Sequence, residues 1–316
     1  MTPSPFDPAL ASRAITTFGL PDARLTLLGV SDNTVLRVDT PTGDPLVLRL
    51  HTAPDLGARA VTSELVWLDS LGGVGDGVFP RPRRSLSGEG LVELGGPGRT
   101  PFASLLTWVP GDVIGGPLNV VQARQAGGLL AALHRHAEAF VPPEGFERPT
   151  YDLASFRRHW ENMQTLLGPA RVTDREAATI EASWPTFEAL LEPLHNVPGG
   201  FGLIHGDAHP GNLLWDGKTL RIIDFGRLGW GAYLYDIAYA VLDFGPAERA
   251  ALMEGYRSVR GLPGGVEPSI RALTDLSALD NLAFLARQPH EHEFVLKALP
   301  SVVEAIARLT AERPAT

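Results

Sequence analysis

The sequence predicts an α+β chain in two lobes, and three observations support that reading. Short apolar segments separated by turn residues fill about the first 108 positions, whereas helical periodicity dominates the remaining positions, about 205 in all. A Pro110-Gly111 pair marks the change of character. With 316 residues, 44% apolar and 20% charged, the chain is long enough to bury a substantial core.

The elements follow in order. Leu25-Thr-Leu-Leu-Gly29 reads as a strand running into Val30-Ser-Asp-Asn33, and Thr34-Val-Leu-Arg-Val38 alternates as a second. Thr40-Pro-Thr-Gly-Asp44 supplies turn chemistry, and Leu46-Val-Leu-Arg-Leu50 closes a hairpin. A helix is predicted from about Gly57 to Leu71, with Ala60, Leu65 and Leu68 near one face and Gly72-Gly73 as its stop. A second hairpin pairs Gly90–Leu94 with Phe102–Trp108 through Gly95-Gly-Pro-Gly98. After Val109-Pro-Gly111 the pattern turns helical, most clearly over Val120–Phe140 with Leu130, Ala131 and Leu133 on an apolar stripe. Further helices are predicted near 152–167, 174–191, 236–241 and 247–259, and over most of 270–309. The organisation is therefore an N-terminal lobe over 1–107, a hinge at 108–111 and a larger lobe over 112–316.

Composition excludes several classes. There is no cysteine, so disulfides, thiolate metal sites and a cysteine nucleophile are ruled out. No apolar run is long enough to span a membrane. Met1-Thr-Pro-Ser-Pro has no basic or apolar leader character, which makes the cytoplasm the expected compartment. A net charge of −9 argues against nucleic acid as a partner. The acidity lies mainly in the second lobe: residues 1–107 carry 9 basic and 11 acidic side chains, and 108–316 carry 18 and 25. The only lysines are Lys218 and Lys297, so a cation needed in the first 200 residues must be an arginine.

The sharpest feature is Phe201-Gly-Leu-Ile-His205-Gly-Asp207-Ala-His209-Pro-Gly-Asn212-Leu-Leu-Trp215, followed by an Asp216-Gly-Lys-Thr turn and Leu220-Arg-Ile-Ile-Asp224-Phe-Gly226. Two apolar strands flank a polar loop, and the arrangement reads as a hairpin whose loop presents Asp207 and Asn212 while the partner strand delivers Asp224. Such an oxygen-rich set suits Mg²⁺ held jointly with phosphates. The remaining carboxylate can orient a hydroxyl and accept its proton. Two other readings stand beside this one. The acids and amide could be turn or cap residues. Alternatively, His205, Asp207 and His209 fall on one face of a strand, as the metal ligands of a hydrolase would.

His205-Gly-Asp207-X-His-Pro-Gly-Asn212 followed by Ile-Asp224-Phe-Gly resembles the catalytic and metal-binding segments of the aminoglycoside phosphotransferase and choline kinase-like families, small-molecule relatives of the protein kinases. The resemblance implies a bilobal protein kinase-like fold, with a small β-rich N-lobe and a larger helical C-lobe. It also implies ATP and Mg²⁺ as cofactors and a small-molecule hydroxyl as acceptor. Aminoglycosides, choline-like amines and homoserine belong to the range of such acceptors. By the same resemblance Asp207 is the catalytic base, and Asn212 and Asp224 are the Mg²⁺ ligands. Residues 29–38, including Asn33, match the loop that covers the phosphates. Glu64, fifteen residues after Arg49, matches the helix glutamate that pairs with a phosphate-contacting strand cation. Thr107-Trp-Val-Pro-Gly111 matches the interlobe hinge, where the Thr107 carbonyl and the Val109 N–H face adenine. Tyr235-Asp236-Ile-Ala matches the aspartate that braces the catalytic loop.

One position departs from the pattern: these families place lysine where this chain has Arg49. Arginine keeps the charge and binds phosphate bidentately, with a different reach. Arg49 is read as a working substitute, and a nucleotide-binding pseudokinase is the alternative. His205 is expected to be structural, and His134 and His136 to serve packing or to lie on the surface. Trp230, Tyr233, Asp243, Asp275, Asp280, Glu291 and Glu293 are the candidates for lining an acceptor pocket.

Overall fold

A computed structural model describes residues 7–30, 33–41, 43–51, 57–75, 77–95, 101–168 and 171–312. The chain divides into two units, one comprising Met1–Asp112, Val141–Arg148 and Leu214–Gly226, the other Val113–Phe140, Pro149–Leu213 and Arg227–Thr316.

The first unit opens with helix α1 (Pro8–Thr17), which the strand-first reading of this region did not include. Its local signal is Asp7-Pro8: the Asp7 carboxylate accepts from the Ala9 N–H at 2.9 Å, and proline occupies the first helical turn. Strands β1 (Arg24–Val30), β2 (Asn33–Asp39) and β3 (Leu46–His51) follow, then helix α2 (Ala58–Ser70). Strands β4 (Pro82–Arg83), β5 (Leu91–Glu93) and β6 (Phe102–Thr107) complete an antiparallel sheet of order β1-β2-β3-β6-β4, with β5 also on β6. In β2 every second residue, Thr34, Leu36 and Val38, is buried, as period-two patterning requires. Leu36, Val38, Leu48 and Leu50 pack with Leu10, Ala11, Ala14 and Ile15 of α1, and each buried leucine contributes roughly 1.5–3 kcal/mol. Positions 31–32 of the predicted phosphate loop, and 96–98 of the turn between β5 and β6, lie outside the described residues.

After β7 (Asp112–Val113) come α3 (Val120–Ala139), β8 (Thr150–Tyr151), α4 (Leu153–Leu167), α5 (Asp174–Asn196) and β9 (Phe201–Ile204). Then follow β10 (Leu213–Trp215), β11 (Leu220–Ile222), β12 (Gly229–Ala232) and α6 (Tyr233–Ala240), with α7 (Pro246–Val259), α8 (Glu267–Leu285) and α9 (His292–Glu312) last. Asn119, Asp152 and Thr173 form capping boxes at the starts of α3, α4 and α5. In the second unit α3 and α7 touch at their backbones. A Cβ on Gly127 would lie 1.9 Å from the Leu252 carbonyl oxygen, and one on Gly255 would lie 1.8 Å from that of Arg124. Among the described residues no helix is long and apolar enough to cross a membrane.

One sequence expectation needs correction. The strands flanking the Asp207 loop are not partners: β9 is covered by β12, with Ile204 opposite Gly229, and β10 pairs with β11. The chain leaving the loop starts a new hairpin because Asp216 builds its own turn, accepting from the Lys218 and Thr219 N–H groups at 2.9 and 2.8 Å. The C-terminal stretch is helical over most of 270–309, as expected, in two helices, α8 and α9, separated by a 3₁₀ turn at Pro289–Glu291. Proline, lacking an N–H, favours that break.

Candidate active site

In the second unit, Asp207 sits on the loop between β9 and a 3₁₀ turn at Pro210–Asn212. The loop backbone is pinned by Asp236 of α6, which accepts from the N–H groups of His205 (3.0 Å) and Gly206 (2.8 Å). Gly206 has φ +73°, and a Cβ there would lie 2.7 Å from the Arg227 carbonyl oxygen, so only glycine fits. Asp236 is itself fully buried and receives His134 Nε2–H at 2.9 Å, while the Tyr256 hydroxyl donates to His134 Nδ1 at 2.8 Å. Burial alone would raise the Asp236 pKa, but the His134 bond and the loop amides hold it below the usual carboxylate range. Burial lowers the His134 pKa, consistent with a neutral ring whose Nε2 carries the proton. His134 is thus a core brace. His205 is also structural in its contacts: it is buried and its Nδ1 accepts the Asp207 N–H at 3.2 Å.

Both carboxylate oxygens of Asp207 are held. Oδ2 accepts from Asn212 Nδ2 at 2.9 Å, and Oδ1 accepts from the Tyr239 hydroxyl at 2.7 Å. Arg227 Nη1 stands 3.5 Å from Oδ1, and His209 Nε2 3.8 Å from Oδ2. Asn212 also donates from Nδ2 to the Asp207 carbonyl at 2.9 Å, which leaves its amide oxygen, an acceptor, as a candidate metal ligand. Asp207 and His209, with Tyr239, Asp243, Asn281 and Phe284, line a pocket of about 220 Å³, smaller than most drug-sized sites. Behind it, buried Asp280 accepts from Arg227 Nη2 (2.6 Å), the Tyr235 hydroxyl (2.8 Å) and His159 Nδ1 (2.6 Å). The Arg227 guanidinium lies over the rings of Phe284 and Tyr239, at 4.6 and 5.1 Å from their centroids.

The first unit assembles a second cluster. Arg49 on β3 is buried and ion-paired through Nη1 with Glu64 Oε1 of α2. Burial alone would lower the Arg49 pKa, but Glu64 and Asp224 together raise it. Burial would raise that of Glu64, but Arg49 and Arg148 together lower it, so both partners stay charged. Glu64 Oε2 has no hydrogen-bond partner among the described residues. Asp224 follows β11 with φ +60°, the only positive φ outside glycine among the described residues, and its Oδ1 accepts the Gly226 N–H at 3.1 Å. Left-handed backbone at a non-glycine residue is strained and clusters at functional sites. Of the remaining candidates, Asn33 starts β2 opposite His51, Thr107 ends β6 opposite Leu46, and Val109 is buried just beyond.

The structure thus brings Asp207 and Asn212 together in one unit, and Arg49, Glu64 and the Asp224 loop together in the other. It does not support the hydrolase alternative: among the described residues no group of three His, Asp or Glu is placed to hold a metal. His205 and His209 instead turn Nδ1 to the N–H groups of Asp207 and Gly211, at 3.2 and 3.1 Å. Of the acceptor candidates, Asp243 lines the pocket and Asp280 underlies it, whereas Tyr233 is buried against His134 with ring centroids 4.2 Å apart. Trp230, Asp275, Glu291 and Glu293 are not among the lining residues. Sequence reasoning missed Tyr239, Arg227, Asn281 and Arg148. Tyr239 had a local signal, lying three residues after Asp236 on one helix. Asn281 and Arg148 had none, because chain folding alone brings them in.

A model of the phosphotransferase enzyme family matches residues 24–273. A homoserine kinase from Beijerinckia indica subsp. indica is 30% identical over 197 residues, 58% of this chain and 56% of that protein. The chain spans about half the length of the curated relatives it matches. Among solved structures, a microcompartment-associated aminopropanol kinase superposes with a TM-score of 0.80 at 24% identity, covering 97% of this chain and 98% of that one. An amicoumacin kinase in complex with AMP-PNP, Ca²⁺ and its ligand superposes with a TM-score of 0.74 at 15% identity, covering 95% and 94%. These likenesses establish a kinase-like α+β fold.

Proposed function

The chain belongs to the phosphotransferase enzyme family, and we propose that it transfers the γ-phosphoryl group of ATP to a hydroxyl of a small molecule. The observation that carries this reading is Asp207: a carboxylate on the wall of a compact pocket, held at both oxygens, on a loop that Asp236 fixes from behind. In this reading Asp207 orients the acceptor hydroxyl and takes its proton, and catalysis is mostly positioning and electrostatics. Arg49, kept in place by Glu64, contacts the phosphates. Asn33, Thr107 and Val109 belong to the nucleotide site.

Asn212 and Asp224 are the proposed Mg²⁺ ligands. An amide oxygen and a carboxylate are the hard donors this ion takes, and the commitment of the Asn212 amide nitrogen to Asp207 fits that role. Mg²⁺ held by these two residues would offset the charge of the phosphates. The buried Arg49–Glu64 pair favours a working nucleotide site over the pseudokinase alternative.

The acceptor we infer is compact, a reading that the small pocket and the names of the homoserine kinase and aminopropanol kinase relatives support. The test is ADP release from MgATP across a panel of homoserine, 1-amino-2-propanol, choline and an aminoglycoside, run beside thermal unfolding with ATP. Turnover with a panel member, together with a Mg²⁺-dependent ATP shift that Asp224→Ala diminishes, supports the proposal. No turnover and no shift with ATP or GTP sinks it.

A further inference from the structure

Tyr239 makes more contacts than a packing residue needs. Its hydroxyl lies 2.7 Å from Asp207 Oδ1 and 2.9 Å from Asn281 Oδ1, and it receives Arg227 Nη1–H at 3.1 Å. A phenol has one proton, so it serves Asp207 or Asn281, never both at once. Burial, above all, pushes the Tyr239 pKa well up, so the group remains a donor. Its frame is fixed: Arg227 is anchored by Asp280 at 2.6 Å and lies over the Tyr239 ring. Redirecting the proton needs only rotation about the C–O bond.

Oδ1 of Asp207 therefore already holds a hydroxyl donor at 2.7 Å, where a phosphoryl acceptor would place its own. A bond to a charged acceptor is stronger than one to a neutral amide, so the resting protein favours the Tyr239–Asp207 pairing. An incoming hydroxyl that replaces Tyr239 at Oδ1 would strand a buried donor, were Asn281 Oδ1 not within reach. We propose that Tyr239 is a positioning residue that holds the acceptor's place at Asp207 and passes its proton to Asn281 when the acceptor hydroxyl arrives. This rests on the reading of Asp207 as the base, and it makes Tyr239 and Asn281 a gate on access to that base.

Water is an acceptor that needs no prior identification. In hydrolysis the water oxygen bonds to the γ-phosphorus, the bond to the β-phosphate oxygen breaks with its electron pair leaving on ADP, and the water proton goes to Asp207. ATP hydrolysis with Mg²⁺ and no added acceptor is therefore the measurement, across Tyr239→Phe, Asn281→Leu, the double variant and Asp207→Asn, with thermal unfolding of each. Removing the competing donor in Tyr239→Phe raises hydrolysis about fivefold, the size of one net hydrogen bond. Asn281→Leu takes away the alternative acceptor, locks Tyr239 on Asp207 and lowers hydrolysis by a similar factor. The double variant behaves as Tyr239→Phe. A packing role alone would not give opposite signs, nor abolish the Asn281 effect in the Tyr239→Phe background.

Hydrolysis by Tyr239→Phe at or below the wild-type rate overturns the proposal, as does an Asn281→Leu effect of equal size in both backgrounds. If Tyr239→Phe fails to fold, unchanged or faster hydrolysis by Asn281→Leu overturns it alone. Should Asp207→Asn hydrolyse as fast as the wild type, the base assignment fails instead, and that outcome is separate from the others.

Discussion

Arg148 donates from Nη2 to the Gly226 carbonyl at 2.7 Å, and its Nη1 donates to the Ala60 carbonyl of α2 at 3.0 Å. One buried guanidinium thus ties the helix that carries Glu64 to the loop that carries Asp224. The neighbouring Glu147 N–H is accepted by Ser63 Oγ at 2.8 Å, so two consecutive residues grip α2. Arg148→Met leaves the buried carbonyls without their charged donor, and the expected loss is about 2–4 kcal/mol. Chemical denaturation measures that loss, and the Mg²⁺-dependent ATP shift should shrink with it. Arg148→Lys should restore only part, because one ammonium cannot span both carbonyls. A variant with wild-type stability and an undiminished shift would rule out the tie.

Arg49 offers a second test. Arg49→Lys keeps a cation beside Glu64 and is expected to retain turnover within about tenfold of wild type, since the charge persists while the fork geometry is lost. Arg49→Met leaves Glu64 buried without its main counter-charge and should cost about 3–5 kcal/mol of stability, with activity lost as well. Equal stability of the Met and Lys variants would show that the pair does not hold α2. Urea unfolding of the two variants side by side decides this.

The sequence was most legible where chemistry is local. The Asp207, Asn212 and Asp224 spacing is carried by short motifs, whereas the Arg49–Glu64 pairing and the bracing role of Asp236 come from the family resemblance; the observed ion pair and loop bonds match that pairing and that brace. Strand pairing was less legible: Leu213–Trp215 and Phe201–Ile204 look alike in sequence, and only the turn built by Asp216 and the covering of β9 by β12 separate them. Least legible were long-range partners. Tyr239 and Asn281 lie 42 positions apart, and Arg148 and Gly226 lie 78 apart, so no periodicity links them.

His51 gives the pH dependence a definite sign. It is buried on β3 with its Nε2 2.9 Å from Ser104 Oγ, and burial first, then the Arg49 charge, lowers its pKa to about 3. The folded protein therefore keeps this ring neutral while the unfolded chain takes up a proton below about pH 6.5. Where the unfolded state binds more protons, stability rises with pH. His51 thus takes nothing from stability above about pH 6.5 and progressively more as pH falls from there toward 3. Denaturant midpoints of wild type and His51→Gln, measured at pH 7 and pH 5, should show the steeper fall in wild type. Parallel profiles would mean that the ring is not held neutral.

Asp207→Asn separates chemistry from binding. The amide keeps the shape and can still meet Asn212 and Tyr239, but it cannot take the acceptor proton, and general-base losses run to about 10²–10⁴ in rate. The proposed nucleotide residues Arg49, Glu64 and Asp224 belong to the other unit and are untouched. The expected result is a kcat lower by orders of magnitude with an ATP-induced thermal shift close to that of wild type. Loss of the ATP shift with turnover per bound complex preserved would instead make Asp207 a binding residue, and the base would have to be sought elsewhere in the pocket, first at Asp243.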